Sequence, residues 1–330
     1  MMKKTLILYF LQLNLYYKLA HFGAIGKEAP MKYIVVFLFF LSVYYIHRRG
    51  KERYTFWRQL SDHSTFFAPL NTFMYLFSAV PSTPYLKLEA FPELEILGQN
   101  WQLIREEGMN LLAQQHVKAS KKYDDAGFNS FFRTGWKRFY LKWYSSHHPS
   151  AAIHCPKTTA LLKTLPSVKA AMFAELPDKS RLPRHRDPYA GSLRYHLGLM
   201  TPNDDRCHIN VDGTLYSWRD GEGVIFDETY IHYAENTSGQ NRLILFCDIE
   251  RPLKYRWAQK FNYLMGRYLM SAAAAPNDET DDTGGVNRIF KYVYFIRRVG
   301  KRIKQWNKPT YYLIKWTLFG GIASALFFAL

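Results

Sequence analysis

The chain has 330 residues, of which 44 are Lys or Arg and 27 are Asp or Glu, so its formal net charge is +17. With 48% hydrophobic and 17% aromatic residues, the composition excludes a disordered, collagen-like or low-complexity chain. The 3 cysteines include no CxxC pair, which excludes a disulfide framework and a cysteine zinc finger and fits a reducing compartment. The positive charge is typical of nucleic-acid binding and equally of contact with anionic membranes.

Residues 1–30 are an uncertain extension. Lys3 and Lys4 precede an apolar run, as in a signal peptide, but Gln12 and Asn14 interrupt that run and no small-residue cleavage site is obvious. Met31 and Lys32 are followed directly by an apolar stretch, so we expect Met31 to be the native start.

Two apolar segments, 31–47 and 309–330, are predicted to be membrane segments. The first is short for a bilayer core of roughly 30 Å, and the second has about the length that such a core requires. Both carry their basic residues on the side that faces the middle of the chain, which predicts a cytoplasmic central region. The alternative is a pair of buried core helices, although neither segment has a polar stripe.

Between these segments, residues 48–90 are predicted to be a juxtamembrane linker. Residues 93–119 have the apolar spacing of a helix, and 157–166 a shorter second helix. After the strand region, 256–308 contain amphipathic and basic helices, including 286–306, around an acidic linker at 276–285.

From Val168 to Glu250 the pattern changes to short β runs separated by turn residues. The predicted strands are 168–176, 192–200, 206–211, 213–218, 222–227, 229–234 and 241–249. Many short strands at this spacing predict a mainly β fold, an antiparallel jelly roll with flanking helices.

His185, Asp187 and His232 are the candidate metal ligands. Residues i and i+2 of a strand share a face, so His185 and Asp187 can point together. Two imidazoles and one carboxylate are the facial set of non-heme Fe(II) oxygenases. The alternative is that Asp187 is a turn residue and each histidine is structural, which is the commoner meaning of an isolated HxD pattern. The jelly-roll context and the downstream histidine favour the metal.

Arg242 lies in an apolar strand, where a guanidinium requires an anion, and its planar fork suits a carboxylate. Arg194 and His196 share one strand face nearby, which suggests a second cationic site beside the metal. The alternative for a strand arginine is a structural ion pair with one of three acids, Asp204, Asp220 or Glu222.

Three runs resemble the aspartyl/asparaginyl β-hydroxylase family of Fe(II)- and 2-oxoglutarate-dependent dioxygenases, whose core is a double-stranded β-helix. They are LPRHRDPYAGSLRYHLGL (182–199), DGEGVIFDETYIHYAEN (220–236) and NRLILFCDIERP (241–252). The resemblance implies a dioxygenase domain over 91–255.

The resemblance also implies roles for the candidate residues. His185, Asp187 and His232 would be the catalytic iron ligands, and Arg242 would bind the distal carboxylate of 2-oxoglutarate. Arg194 and His196 match positions near that cosubstrate; O2 is the other cosubstrate, and ascorbate is a candidate stimulant. A family serine that assists the distal carboxylate has no counterpart, because the equivalent stretch reads MFAELPD.

The retained Asp187 and the terminal segments resemble the bacterial lipid A hydroxylases within this family. That resemblance implies a dioxygenase at the cytoplasmic side of the bacterial inner membrane, hydroxylating carbon 2 of a secondary acyl chain of lipid A or a related phosphoglycolipid. The alternatives are a peptide aspartyl/asparaginyl hydroxylase, a small-molecule hydroxylase, and a non-catalytic jelly-roll module tethered to the membrane. The oligomeric state is left open.

Residues 133–144 interleave cations with aromatic rings. One interpretation is a platform for a phosphorylated glycolipid, formed by Trp136, Lys137, Arg138 and Trp143. An ordinary aromatic strand with a solvated basic face is equally consistent with the pattern.

The excess positive charge lies outside the predicted strand region. Residues 168–250 hold 9 Lys and Arg against 13 Asp and Glu, whereas 286–308 carry 8 cations and no acid and 47–58 carry 5 cations against Glu52. This distribution disfavours nucleic-acid binding. It predicts cationic flanks that hold the chain at anionic lipid, at about 1 kcal/mol per Lys or Arg near the surface.

Overall fold

The computed structural model describes residues 31–120 and 124–329, so the predicted extension 1–30 lies outside the described residues. The described chain divides into two compact units. One is Tyr45–Val299 and holds both sheets with the helices around them. The other consists of residues 31–44 and 300–329.

The helices of the described chain are α1 (Met31–Arg48), α2 (Phe56–Leu60), α3 (His63–Phe66), α4 (Ala68–Leu76), α5 (Glu95–Gln99), α6 (Trp101–Ala113), α7 (Pro149–His154), α8 (Pro156–Lys163), α9 (Arg256–Met265), α10 (Gly285–Trp306) and α11 (Lys308–Ala329). The strands are β1 (Tyr85–Leu86), β2 (Lys137–Trp143), β3 (Val168–Leu176), β4 (Ser180–His185), β5 (Ser192–Met200), β6 (Cys207–Val211), β7 (Thr214–Ser217), β8 (Gly223–Phe226), β9 (His232–Asn236) and β10 (Arg242–Glu250).

The strands form two sheets that face each other. The larger has the order β1-β8-β5-β10-β3-β2 and the smaller β4-β9-β6-β7, and every named pairing is antiparallel. The predicted fold class, a jelly roll with flanking helices, is confirmed.

Apolar side chains cover both faces of the larger sheet. On one face, Met172 and Phe246 pack with Ile209 of the smaller sheet. On the other, Phe173 and Leu243 pack against α6, where a Cβ on Gly108 would lie 3.0 Å from both side chains. Because the central strands are buried on both faces, their sequences are nearly continuous apolar runs.

Strand β4 is absent from the predicted strands because its sequence, SRLPRH, has no apolar alternation. It lies at the edge of the smaller sheet, where Pro183 costs no ladder hydrogen bond. Its register with β9 shifts between Leu182 and His185, which marks a bulge beside the candidate ligands.

Among the described residues, one helix, Met31–Arg48, is long and apolar enough to cross a membrane by length and composition. The predicted C-terminal segment forms α11, a helix of 22 residues. The predicted acidic linker 276–285 is packed rather than free. Its Asn277 donates to the carbonyl of Tyr140 over 2.8 Å, and its buried Asp281 accepts from the Ser150 hydroxyl over 2.7 Å.

Candidate active site

The three candidate ligands come together at the rim of the smaller sheet. β4 ends at His185 and β9 begins at His232, and these two residues are cross-strand partners. Asp187 follows β4 in a loop, where its backbone N–H donates to the carbonyl of Glu228 over 2.9 Å. One ligand atom from each of the three residues lies within 4.8 Å of the others. The juxtaposition expected from the sequence is present, although Asp187 lies beyond the strand.

Backbone carbonyls orient both imidazoles. The Nδ1 of His185 lies 2.6 Å from the carbonyl of Pro183, and the Nδ1 of His232 lies 3.0 Å from that of Tyr230. Hydrogen bonds at Nδ1 place the proton there and leave each Nε2 as a free electron-pair donor. The Nε2 of His185 is 3.6 Å from Oδ1 of Asp187, so the lone pairs converge on one point.

The protonation states also suit a metal. Burial, reinforced by His185, lowers the pKa of His232 to about 3, and burial lowers the pKa of His185. Burial opposes ionisation of Asp187, but the charge of Arg194 outweighs it and lowers the pKa of that carboxyl to about 2. At neutral pH the group therefore presents two neutral imidazoles and a carboxylate, the forms that bind a metal ion.

Arg194 is held by carboxylates and positions Asp187. Its Nη2 lies 2.8 Å from Oδ2 of Asp187 and 2.6 Å from Glu228, and its Nε lies 2.8 Å from Asp248. The sequence predicted a cosubstrate contact, but this guanidinium is already engaged by three acids. The alternative prediction, a structural ion pair, is therefore correct for Arg194. Its partners, however, are not the predicted acids Asp204, Asp220 and Glu222. Arg194 holds one oxygen of Asp187 and leaves the other turned toward His185.

Arg242, unlike Arg194, has no carboxylate partner among the described residues. Its side chain is buried, its guanidinium lies 4.2 Å from the Trp218 ring, and no carboxylate of the described residues pairs with it. Its Nε has no hydrogen-bond partner in the described chain, and burial lowers its pKa to about 10. A buried guanidinium without a counter-ion is costly, so this geometry suits an incoming carboxylate.

His196 and Trp218 add neutral donors beside Arg242. Neither ring nitrogen of His196 has a partner among the described residues, and the same holds for Nε1 of Trp218. Burial, with the charges of Arg194 and Arg242, lowers the pKa of His196 well below its usual range. The predicted site residues meet in one cavity lined by His185, Asp187, Arg194, His196, His232 and Arg242 together with Trp136, Trp218 and apolar side chains.

The predicted glycolipid platform is wrong in its geometry, because three of its four side chains are inside the protein. Arg138 is 2% exposed, Trp136 2% and Trp143 6%; only Lys137 reaches the surface. Trp136 lines the cavity just described, and Trp143 donates to the carbonyl of Met270 over 2.8 Å. The alternative of a solvated basic face fails at Arg138 for the same reason.

Arg138 is a structural residue with a measurable effect on stability. Its Nε lies 2.9 Å from the carboxylate of Asp125, and both side chains are 2% exposed. Breaking a buried pair leaves an uncompensated charge, so Arg138→Ala should lower the free energy of unfolding by about 3–5 kcal/mol in chemical denaturation. Lys137→Ala, the matched control, removes an ammonium that is 41% exposed; its buried partner Glu175 keeps a hydrogen bond from the Asn241 side chain, so the loss should be smaller, about 1 kcal/mol. Equal stability of the two variants would contradict this assignment.

Sequence reasoning missed Glu228, Asp248 and Trp218. Asp248 could have been found as an acid within the apolar run LILFCDIE, and the register places it directly opposite Arg194. Glu228 had no comparable signal, because it belongs to the turn between β8 and β9. A role for Trp218 becomes apparent only from its position in the wall of the cavity.

With this geometry in place, comparisons with known proteins identify the domain. The sequence model of the aspartyl/asparaginyl beta-hydroxylase family matches residues 98–252, which include all three candidate ligands and Arg242. Residues 98–252 belong to that family. The chain therefore contains a domain similar to those of the beta-hydroxylase family.

Two relatives illustrate the range of this hydroxylase family. The ornithine lipid ester-linked acyl 2-hydroxylase of Rhizobium tropici is 38% identical over 122 residues, 37% of this chain and 43% of that protein. The human aspartyl/asparaginyl beta-hydroxylase is 27% identical over 212 residues, 62% of this chain and 27% of that protein. The chain thus matches less than half the length of either relative.

Among solved structures, a Pseudomonas putida prolyl-4-hydroxylase is similar at 17% identity with a TM-score of 0.33, over 47% of this chain and 87% of that one.

Proposed function

We propose that this hydroxylase domain is an Fe(II)- and 2-oxoglutarate-dependent dioxygenase that hydroxylates carbon 2 of an acyl chain in a membrane lipid. One observation carries the proposal: the convergent ligand atoms of a His-Asp-His set share one cavity with a buried Arg242 that has no carboxylate partner among the described residues. A metal site beside a carboxylate receptor suits a cosubstrate that must contact both. A non-catalytic binding module would not require a metal site next to a buried arginine.

In this proposal His185, Asp187 and His232 would hold the iron, because two imidazoles and one carboxylate are the ligand set of non-heme iron oxygenases, which also bind a cosubstrate and O2. Bound iron with 2-oxoglutarate supplies the oxidising chemistry, with succinate and CO2 as the other products. Arg242 pairs with the distal carboxylate of the cosubstrate, and His196 and Trp218 supply neutral hydrogen bonds. These donors would take the place of the missing family serine, because the equivalent stretch presents Ala174, whose side chain carries no hydrogen-bonding group.

Exposed aromatic side chains near the ligand loop support a lipid substrate. Arg58 of α2 donates to the carbonyl of Arg184 over 3.2 Å, and His63 of α3 contacts that of Arg186 at 2.9 Å. On these same helices Trp57 is 70% exposed and Phe66 76% exposed. Exposed aromatic groups of this size mark sites of membrane or partner contact.

The surface formed by α4 and α9 also exposes aromatic side chains. Phe73 of α4 and Phe77, the residue after α4, contact Trp257 of α9 with ring centroids 5.8 and 4.9 Å apart, so the two helices form one aromatic surface. Trp257 and Tyr263 are exposed there, and the same helix carries the exposed cations Arg256 and Lys260. Tryptophan and tyrosine beside cations suit the headgroup region of an anionic membrane. We propose that this surface and α1 place the active site at the bacterial inner membrane, on its cytoplasmic side.

Two lipids are candidate substrates. The predicted membrane segments and the retained Asp187 favour the secondary acyl chain of lipid A. The Rhizobium relative, named for acyl 2-hydroxylation of an ornithine lipid, favours an ester-linked chain of that kind. Both reactions place a hydroxyl on carbon 2 of a fatty acyl group, so the proposed chemistry is common to them.

The test compares the lipids of cells with and without the full-length protein. Mass spectrometry of extracted lipid A and of ornithine lipids should show one added oxygen on one acyl chain only where the protein is present. Fragmentation should place the oxygen at carbon 2. Identical lipid profiles in the two strains, with the protein expressed, would contradict the proposal.

A further inference from the structure

The segment that follows α1 lies against the loop that supports the candidate metal ligands. Residues 47–58 are strongly basic and, from the sequence alone, are expected to face lipid headgroups. Arg48 does face solvent, but the side chain of the adjacent Arg49 is only 6% exposed. A buried guanidinium so close to an apolar helix requires an explanation other than lipid contact.

Both terminal nitrogens of Arg49 bind to side chains of the turn between β8 and β9. Its Nη2 lies 2.5 Å from the buried carboxylate of Asp227, and its Nη1 donates to the Thr229 hydroxyl over 2.8 Å. The guanidinium lies between the rings of Tyr75 and Tyr230, at 3.9 and 3.7 Å from their centroids. Charge, hydrogen bonds and ring stacking therefore all fix Arg49 to this turn.

The same turn supports two of the three candidate ligands. The carbonyl of Glu228 accepts the backbone N–H of Asp187, and the carbonyl of Tyr230 accepts from Nδ1 of His232. A shift of the turn would move both acceptors, and with them the carboxylate and one imidazole.

Residues 50–52 make a second attachment close by. The backbone N–H groups of Lys51 and Glu52 each donate to the carboxylate of Asp212 over 2.8 Å. The backbone N–H of Asp212 donates to the carbonyl of Ile231, directly before His232. Gly50 has φ +87°, and a Cβ there would lie 2.6 Å from the Asp212 carboxylate, so glycine is required for this contact.

We infer that residues 49–52 are a positioning strap for the metal centre, with Arg49 as its principal positioning residue. The strap joins the chain leaving α1 to the turn that orients Asp187 and His232. Support of this kind around metal ligands changes metal affinity by about 10–100-fold when it is lost. The inference rests on the metal centre of the proposed function.

The test measures Fe(II) affinity of the full chain under anaerobic conditions, together with the Co(II) absorption spectrum, which reports ligand geometry. Arg49→Met should weaken Fe(II) binding about 10–100-fold and change the Co(II) spectrum. Arg251 also contacts Asp227, at 2.7 Å, so that carboxylate keeps a counter-ion in the variant. Arg49→Lys, which keeps the charge but not the fork, should be intermediate. Arg48→Met, the matched control on the exposed neighbour, should leave affinity and spectrum unchanged.

The outcomes separate this inference from the proposed function. If the unaltered protein does not bind Fe(II), the metal centre itself is wrong. If it binds Fe(II) and Arg49→Met binds equally well with the same Co(II) spectrum, the strap is wrong, even if the variant unfolds more easily. Should Arg49→Met fail to fold, Arg49→Lys decides by the same two measurements.

Discussion

His232→Ala should abolish succinate production and weaken Fe(II) binding by at least about 100-fold. The expectation follows from geometry: His232 supplies one of the three ligand atoms found together among the described residues, and its Nδ1 is already used by the carbonyl of Tyr230. Loss of a ligand should exceed the roughly 10–100-fold cost of losing a supporting partner. Anaerobic Fe(II) titration and 2-oxoglutarate turnover measure the two effects.

A matched control is available at His147, which is exposed and belongs to no ligand group of the described residues. His147→Ala makes the same substitution and should retain both metal binding and turnover. His185→Ala should behave like His232→Ala, because the two imidazoles are equivalent in the facial set. Full turnover in either ligand variant would remove the basis of the metal assignment.

Arg242→Met should separate cosubstrate binding from stability. A guanidinium that pairs with a carboxylate through two charged hydrogen bonds contributes about 1.5–3 kcal/mol for each. Removing both should raise the KM for 2-oxoglutarate about a hundredfold or more. Without cosubstrate the variant should be at least as stable as the unaltered protein, because methionine replaces a buried charge that has no counter-ion among the described residues.

The measurements for this prediction are the KM for 2-oxoglutarate and the melting temperature with and without it. Cosubstrate should raise the melting temperature of the unaltered protein and leave that of Arg242→Met unchanged. Arg242→Lys should recover part of the affinity, since it keeps the charge and loses the planar fork. An unchanged KM in Arg242→Met, or a large loss of stability, would show that Arg242 has a structural role instead.

Most of the fold could be predicted from the sequence because apolar side chains cover both faces of the larger sheet. β3, β5 and β10 are buried along almost their whole length, so their apolar runs are clear, and their predicted bounds agree closely with the structure. The edge strand β4 was not accessible, because an edge needs little apolar surface and tolerates Pro183.

Only part of the site could be predicted from the sequence. The candidate metal ligands belong to short sequence motifs, whereas the residues that position them do not. The engagement of Arg194 by Glu228 and Asp248 depends on which strands pair and in which register, and no local pattern encodes this. Arg49 shows the same limit: its partner Asp227 lies 178 positions away, so the sequence displays a basic run without its counter-charge. Arg138 was misassigned for the same reason.

The central claim is a coupled oxidation of an acyl chain at this metal centre, and isotope labelling measures it directly. The purified full-length protein would be incubated with Fe(II), 2-oxoglutarate, labelled O2 and the extracted lipid in mixed micelles. We predict one labelled hydroxyl at carbon 2 of an acyl chain for each succinate formed, and neither product from His232→Ala. Hydroxylated lipid formed without 2-oxoglutarate, or label absent from the new hydroxyl, would contradict the account.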